Sequence, residues 1–311
     1  MKNINQYLKN NNLKFNKDYE IGKLTTIGLG GKADYVVYPL NLTELINLIK
    51  FCRKNKIKFE ILGNGSNVLY SDKRYKGVII CVNYISKVRY KNNKLYAFCG
   101  ARLPYLSYFA MLNEIKGYET LSLIPGSVGA SICINAGAYG KTIGDNVIFV
   151  VTINQNNKIK IYKKNELKFS YRSSNIKENN EIVLFACLEV QKGKKEEIKS
   201  LMDLYAKKRY ESQPLYERNF GSIFKNPPNN KVYEIIKLAN VEDFSYKGVK
   251  LSKKHLNFLQ ISTNNCAKDV LYFIEKLRQK VYNKVGLLLD NEVILVNWRR
   301  KYVKRVKRIY K

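Results

Sequence analysis

The chain contains a single histidine, His255, in 311 residues. A zinc site assembled from clustered histidine and cysteine is therefore almost excluded. Six cysteines stand at 52, 81, 99, 133, 187 and 266 with no CxxC pair among them. A chain of this length does not need staples, so they read as reduced, mostly buried thiols. No run approaches the roughly 18–20 apolar residues of a membrane helix. The opening MKNINQYLKNNNLKF lacks the apolar stretch of a secretory leader. These absences lead to the expectation of a soluble, cytoplasmic protein without a metal or a membrane attachment.

Acidic residues are also scarce: 25 Asp and Glu face 56 Lys and Arg, a formal charge of +31. Charge of that size attracts nucleic acid or anionic membrane. The lysines are nevertheless spread along the whole chain, apart from one basic run at 299–311. Lys, Asn, Ile and Tyr are enriched together, as drift toward codons rich in A and T produces. No nucleic-acid motif accompanies the charge, so no specific nucleic-acid partner is expected.

What is present is the material of a folded core, 45% hydrophobic and 12% aromatic. Leu42, Leu45, Ile46 and Ile49 fall at helical spacing and predict a helix over 42–52, with Asn41 and Glu44 as its capping pair. Strand-like runs at 35–38, 59–62 and 77–82 surround it, an α+β alternation. Further on, 103–114 reads as helix and 147–153, 158–162 and 182–190 as strands. A helix over 197–210 presents Ile198, Leu201, Met202 and Tyr205 on one face. Beyond Gln213-Pro214, helices at 231–239 and 267–284, the latter closed by Gly286, combine with strands at 257–261 and 292–296 in an α/β lobe.

Five segments carry chemistry. Gly63-Asn64-Gly65-Ser66-Asn67 follows a strand and suits either an anion nest for a pyrophosphate or a hairpin turn. Val68 occupies the third glycine position of the dinucleotide fingerprint, so that motif is absent. The stretch 124–130 with 135–140, IPGSVGA and NAGAYG, brings bare main chain toward a flat ligand or is a structural crossing. Tyr171-Arg172-Ser173-Ser174 offers an arginine fork for a carboxylate, or a surface ion pair. Ser222, in GSIFKNP, suits a proton donor, a nucleophile paired with His255, or a turn cap. Glu292 heads an apolar run, where desolvation raises a carboxyl pKa and makes a usable acid, unless it is merely an exposed strand start.

In this order, over about 20–296, the segments resemble the UDP-N-acetylenolpyruvoylglucosamine reductase family, with Thr25-Thr26, Gly28, Gly30 and Gly31 similar to its opening segment. The resemblance implies an α+β protein. Its FAD-binding fold is of the vanillyl-alcohol oxidase/PCMH type, in two subdomains over 1–82 and 83–212. A C-terminal α/β substrate domain follows over 213–311. It implies NADPH-dependent, FAD-mediated reduction of UDP-N-acetylglucosamine enolpyruvate to UDP-N-acetylmuramate, a peptidoglycan precursor. Carried over residue by residue, Gly63, Asn64, Gly65, Ser66, Asn67, Gly126, Ser127, Gly129 and Ala138 hold FAD. Arg172 and Glu292 stabilise the intermediate, and Ser222 protonates the α-carbon. Tyr171, Lys225, Asn226 and His255 shape the substrate pocket. The FAD half has no histidine, so the flavin is expected to be non-covalent. Only 50 positions separate Arg172 from Ser222, which resembles the shorter form without the inserted tyrosine loop. Val128, Ile176, Lys231-Val232 and 241–244 depart from the family pattern. The rivals are another flavoenzyme of the same fold and a basic nucleic-acid-binding protein.

Overall fold

The structure is a computed structural model and describes residues 2–298. The basic run at 299–311 lies outside the described residues. The chain divides into two compact units, neither continuous in sequence. The first comprises 1–17, 35–64 and 77–209, and the second 18–34, 65–76 and 210–311. The expected boundaries at 82/83 and 212/213 follow the chain, whereas these units follow contacts between distant segments.

In the first unit, helix Leu42–Lys54 buries Leu45, Leu48, Ile49 and Cys52. The Asn41 side chain accepts from the Glu44 N–H at 2.9 Å, and Glu44 accepts in turn from the Leu40 N–H at 2.9 Å. One donor that the helix start leaves unmet, the Glu44 N–H, is thereby satisfied, and the N–H just ahead of the cap with it. Strand Phe59–Leu62 runs parallel to Tyr75–Cys81, pairing Phe59 with Val78 and Leu62 with Cys81. A five-stranded antiparallel sheet is ordered Ile159–Lys163, Val147–Ile153, Ile182–Leu188, Lys94–Phe98, Val88–Lys91. Val147, Val150, Val183 and Ala186 of this sheet pack with Leu103, Leu106 and Ala110 of helix Leu103–Leu112. Helix Lys195–Ser212 forms as expected and carries Ile198, Leu201, Met202 and Tyr205, but these are covered unequally. Ile198 alone is buried, and Leu201 is 43% exposed. Met202 and Tyr205 are half-buried, and the Tyr205 ring stacks on Tyr139 with centroids 4.7 Å apart.

In the second unit, strand Val68–Tyr70 lies parallel to Ile294–Val296. Strands Ser245–Tyr246, Val249–Ser252 and His255–Gln260 form an antiparallel sheet. Helix Val232–Leu238 and helix Ala267–Val285 supply Val232, Ile235, Ile236, Val270, Phe273, Ile274 and Leu277 to one core with Phe220, Ile223 and Phe224. Gly286 closes the long helix in the left-handed region, at φ 69°, its N–H bonding the Tyr282 carbonyl at 2.8 Å. At the other end, Asp72 accepts from the N–H groups of Ala267 and Lys268, both at 2.9 Å, a cap from far away in sequence.

Candidate active site

The loop at 63–67 is not a hairpin turn, because the strands it joins pair with other partners in different sheets. Close approach explains its glycines. A methyl carbon at Gly63 would stand 2.2 Å from Ser127 Oγ, and one at Gly65 would stand 2.1 Å from the Leu24 carbonyl. Gly65 also has φ 64°, costly for other residues. The Asn64 side chain donates to the Pro125 carbonyl at 2.6 Å, tying the Gly loop to the IPG loop within the first unit.

Ser127 opens the short helix Val128–Cys133 without capping it. Its hydroxyl is buried and has no hydrogen-bond partner. The N–H groups of Val128 and Gly129 are already committed to the carbonyls of Ala101 (2.8 Å) and Cys99 (2.9 Å). A ligand at this place therefore meets the Ser127 hydroxyl, not those two amides. Asn135 and Ser174, within those motifs but given no role from sequence, join the NAGAYG and YRSS segments. Asn135 donates to the Ser170 carbonyl at 3.3 Å, and the Ser174 hydroxyl to the Cys133 carbonyl at 2.8 Å. Between those anchors Arg172 adopts φ 56°, the left-handed region that residues other than glycine rarely occupy. Its guanidinium carbon lies 5.0 Å from the Tyr171 ring centroid. Tyr171 is exposed; in the same unit Gly126 sits in a loop and Ala138 on the short strand Gly137–Ala138. Val128 and Ile176, two of the departures, are fully buried in the core there.

The second unit gathers Ser66, Asn67, Ser222, Lys225, Asn226, His255 and Glu292. The extended stretch after Ser222 is held on two sides. On one, the Ile223 N–H donates to the Asn257 carbonyl at 2.8 Å. On the other, the Glu292 N–H donates to the Ile223 carbonyl and the Lys225 N–H to the Asp290 carbonyl, both at 2.8 Å. Asn67 reaches the same place: its side chain donates to the Glu292 carbonyl at 3.3 Å, and its carbonyl accepts from the Ile294 N–H at 3.0 Å. Arg278, buried in the long helix, donates to the Leu289 carbonyl at 2.7 Å and fixes the approach to Glu292. Ser222 and Glu292 are both half-buried, so each remains reachable by a ligand. Asn226 accepts from the Val232 N–H at 3.0 Å and caps the following helix.

Burial holds the His255 pKa below its ordinary value, and its Nδ1 accepts the Asn257 N–H at 3.1 Å. A hydrolytic triad needs an Nδ1–H that donates to a carboxylate. His255 presents the opposite tautomer, so the nucleophile reading of Ser222 falls. Burial pushes the thiols of Cys52, Cys81, Cys99 and Cys133 up to about 12, leaving them protonated. Among the described residues no three His, Cys, Asp or Glu cluster to hold a metal, and no helix is long and apolar enough to cross a membrane.

Residues 33–161 match an FAD binding domain, and 213–296 match the C-terminal domain of UDP-N-acetylenolpyruvoylglucosamine reductase. The reductase of Caldanaerobacter subterraneus subsp. tengcongensis is 38% identical over 94% of this chain and 96% of its own. The chain belongs to the UDP-N-acetylenolpyruvoylglucosamine reductase family. The enzyme of Carboxydothermus hydrogenoformans is 39% identical, over 87% of this chain and 90% of its own. The crystal structure of the Thermus caldophilus reductase superposes with a TM-score of 0.76 at 26% identity, covering 91% of this chain and 98% of that one. The reductase family and the FAD-binding α+β fold agree with the resemblance read from the sequence. The residues present fit an FAD: Ser127 keeps an orphaned buried hydroxyl against Gly63, where a β-carbon would stand 2.2 Å from it.

Proposed function

We propose that the protein reduces the enolpyruvyl ether of UDP-N-acetylglucosamine to UDP-N-acetylmuramate, with NADPH as donor and non-covalent FAD, in peptidoglycan precursor synthesis. The observation that carries this reading is the hydrogen bond from the Glu292 N–H to the Ile223 carbonyl, at 2.8 Å. It joins the main chain beside a half-buried hydroxyl, Ser222, to the main chain bearing a half-buried carboxyl. Reduction of an enol ether needs such a pair, since hydride on the terminal carbon leaves negative charge on the α-carbon and its carboxylate.

When bound, FAD supplies the hydride relay between NADPH and substrate. The chain's own groups do the rest. Ser222 gives its proton to the α-carbon, while Glu292, in its protonated form, and Arg172 stabilise the enolate-like charge that precedes that transfer. Gly63, Asn64, Gly65, Ser66 and Asn67 would take the FAD pyrophosphate, and Gly126, Ser127, Gly129 and Ala138 the flavin. Tyr171, Lys225, Asn226 and His255 would contact the substrate, His255 as a neutral imidazole whose remaining N–H is Nε2. The protein is expected to act in the cytoplasm.

Labelling tests this directly. Deuteride from NADPH should appear on the new methyl carbon and solvent deuterium on the neighbouring α-carbon. Acid precipitation should release all flavin into the supernatant. Purified protein without flavin, or reduced protein that the enolpyruvyl ether fails to reoxidise, would overturn the proposal.

A further inference from the structure

We infer that Asn257 is a positioning residue for proton transfer, setting where the Ser222 main chain lies against that of Glu292. The inference rests on the reading of Ser222 and Glu292 given above. Asn257 is 4% exposed and sits on strand His255–Gln260. Its carboxamide grips both polar groups of one peptide residue: Oδ1 accepts from the Phe224 N–H at 3.0 Å, and Nδ2 donates to the Phe224 carbonyl at 2.8 Å. Its own carbonyl takes the Ile223 N–H at 2.8 Å. The amide thus replaces a neighbouring strand for a stretch too short to form one. Across that stretch the Ile223 carbonyl and Lys225 N–H bond the Glu292 N–H and Asp290 carbonyl. Phe224 is itself buried, so its N–H and carbonyl have no water to fall back on. With the amide in place, residues 223–225 are fixed from both sides, and Ser222 follows from them by covalent geometry. Loss of one grip lets Ser222 drift, and displacement of about 1 Å from a productive position costs on the order of 10²-fold in rate.

Asn257→Asp separates positioning from packing. A protonated carboxyl can donate to the Phe224 carbonyl and accept from its N–H, as the amide does; a carboxylate cannot donate. Flavin reduction by NADPH and reoxidation by the enolpyruvyl ether are measured separately between pH 5 and 8, alongside hydrogen exchange of residues 221–226. Lys225, His255, Asp290 and Glu292 titrate on the same segments in both proteins, so the wild-type profile removes their contribution. The expected result is unchanged reduction and reoxidation slowed about 10²-fold at pH 8, recovering as pH falls, with exchange at 221–226 fast at pH 8 and slow at pH 5. Asn257→Ala should show the loss without the recovery; if that variant does not fold, Asn257→Asp decides alone. Equal slowing of both half-reactions, or no recovery on acidification, overturns the role of Asn257. Wild-type protein inert toward the enolpyruvyl ether overturns instead the reading beneath it.

Discussion

The two units hold their candidate residues by different physical means. In the first, loops are shaped by what is missing from side chains: no β-carbon fits at Gly63, and Ser127 keeps a buried hydroxyl without a partner. In the second, ordinary side chains are set by a ladder of main-chain bonds among 67, 223–225, 257 and 290–294. The first arrangement holds space for a ligand and gives up stability to do so. The second satisfies its main-chain polar groups and ties the backbone next to Ser222 to that of Glu292. Substitutions in the two units should therefore fail differently: ligand affinity in one, a single chemical step in the other.

The largest contrast is expected at Ser222. Ser222→Ala should leave flavin reduction by NADPH intact while reoxidation by substrate falls by roughly 10²–10⁴, the usual worth of a positioned general acid. Glu292→Gln should act on the same half-reaction. In stopped-flow traces of the double variant the two losses should not add, since both serve one intermediate. Slowing of both half-reactions by Ser222→Ala would erase the contrast and make the serine structural.

Next comes the Gly loop. Gly65→Ala meets both an unfavourable φ and the Leu24 carbonyl, so a stability loss of roughly 2–4 kcal/mol is expected in urea denaturation. Gly63→Ala meets only the Ser127 hydroxyl. Its effect should fall mainly on flavin retention and be partly relieved by adding Ser127→Ala. Equal effects at the two glycines would show that the loop has a single role.

Ser127→Ala sharpens the point in the opposite direction. Removing an unpaired buried hydroxyl should leave the flavin-free protein unchanged or stabilise it by about 1 kcal/mol, while flavin affinity drops about 10- to 100-fold. Thermal melting and fluorescence titration would read the two effects. Destabilisation of the flavin-free protein would mean that the hydroxyl has a structural partner.

The smallest effect belongs to His255. Burial lowers its pKa from 6.5, so the unfolded chain binds its proton first. Stability from this group is complete above about pH 6.5 and is lost as pH falls through the folded-state value. Urea midpoints at pH 7.5 and 5 should differ more for the wild type than for His255→Gln. An equal drop would show that protonation of His255 is not coupled to folding.

Legibility depended on how local each signal is, in both units alike. Helix 42–54 could be read because its cap and its apolar spacing are local, and Gly286 because a left-handed C-cap admits few other residues. The apolar pattern of helix Lys195–Ser212 misled, since spacing says which residues share a face but not what covers it. Asn135, Ser174 and Asn257 sit in or beside motifs, but the sequence does not say what their side chains bond. Each works by bonding a main-chain group at a distant position, Ser170, Cys133 and Phe224 respectively.

By itself the sequence determined the residue types and their order: glycines where a β-carbon is excluded, an arginine fork, a serine in GSIFKNP, and a late carboxylate. Those are enough to identify the family, because such types at such spacings are set by the chemistry they serve. Only the tertiary structure decided that 63–67 is no hairpin and that His255 presents the wrong tautomer for a triad. It alone showed that Ile223 links Ser222 to Glu292. Strand pairing and tautomer depend on partners up to hundreds of residues away, and no local pattern encodes which of them a main-chain amide will meet.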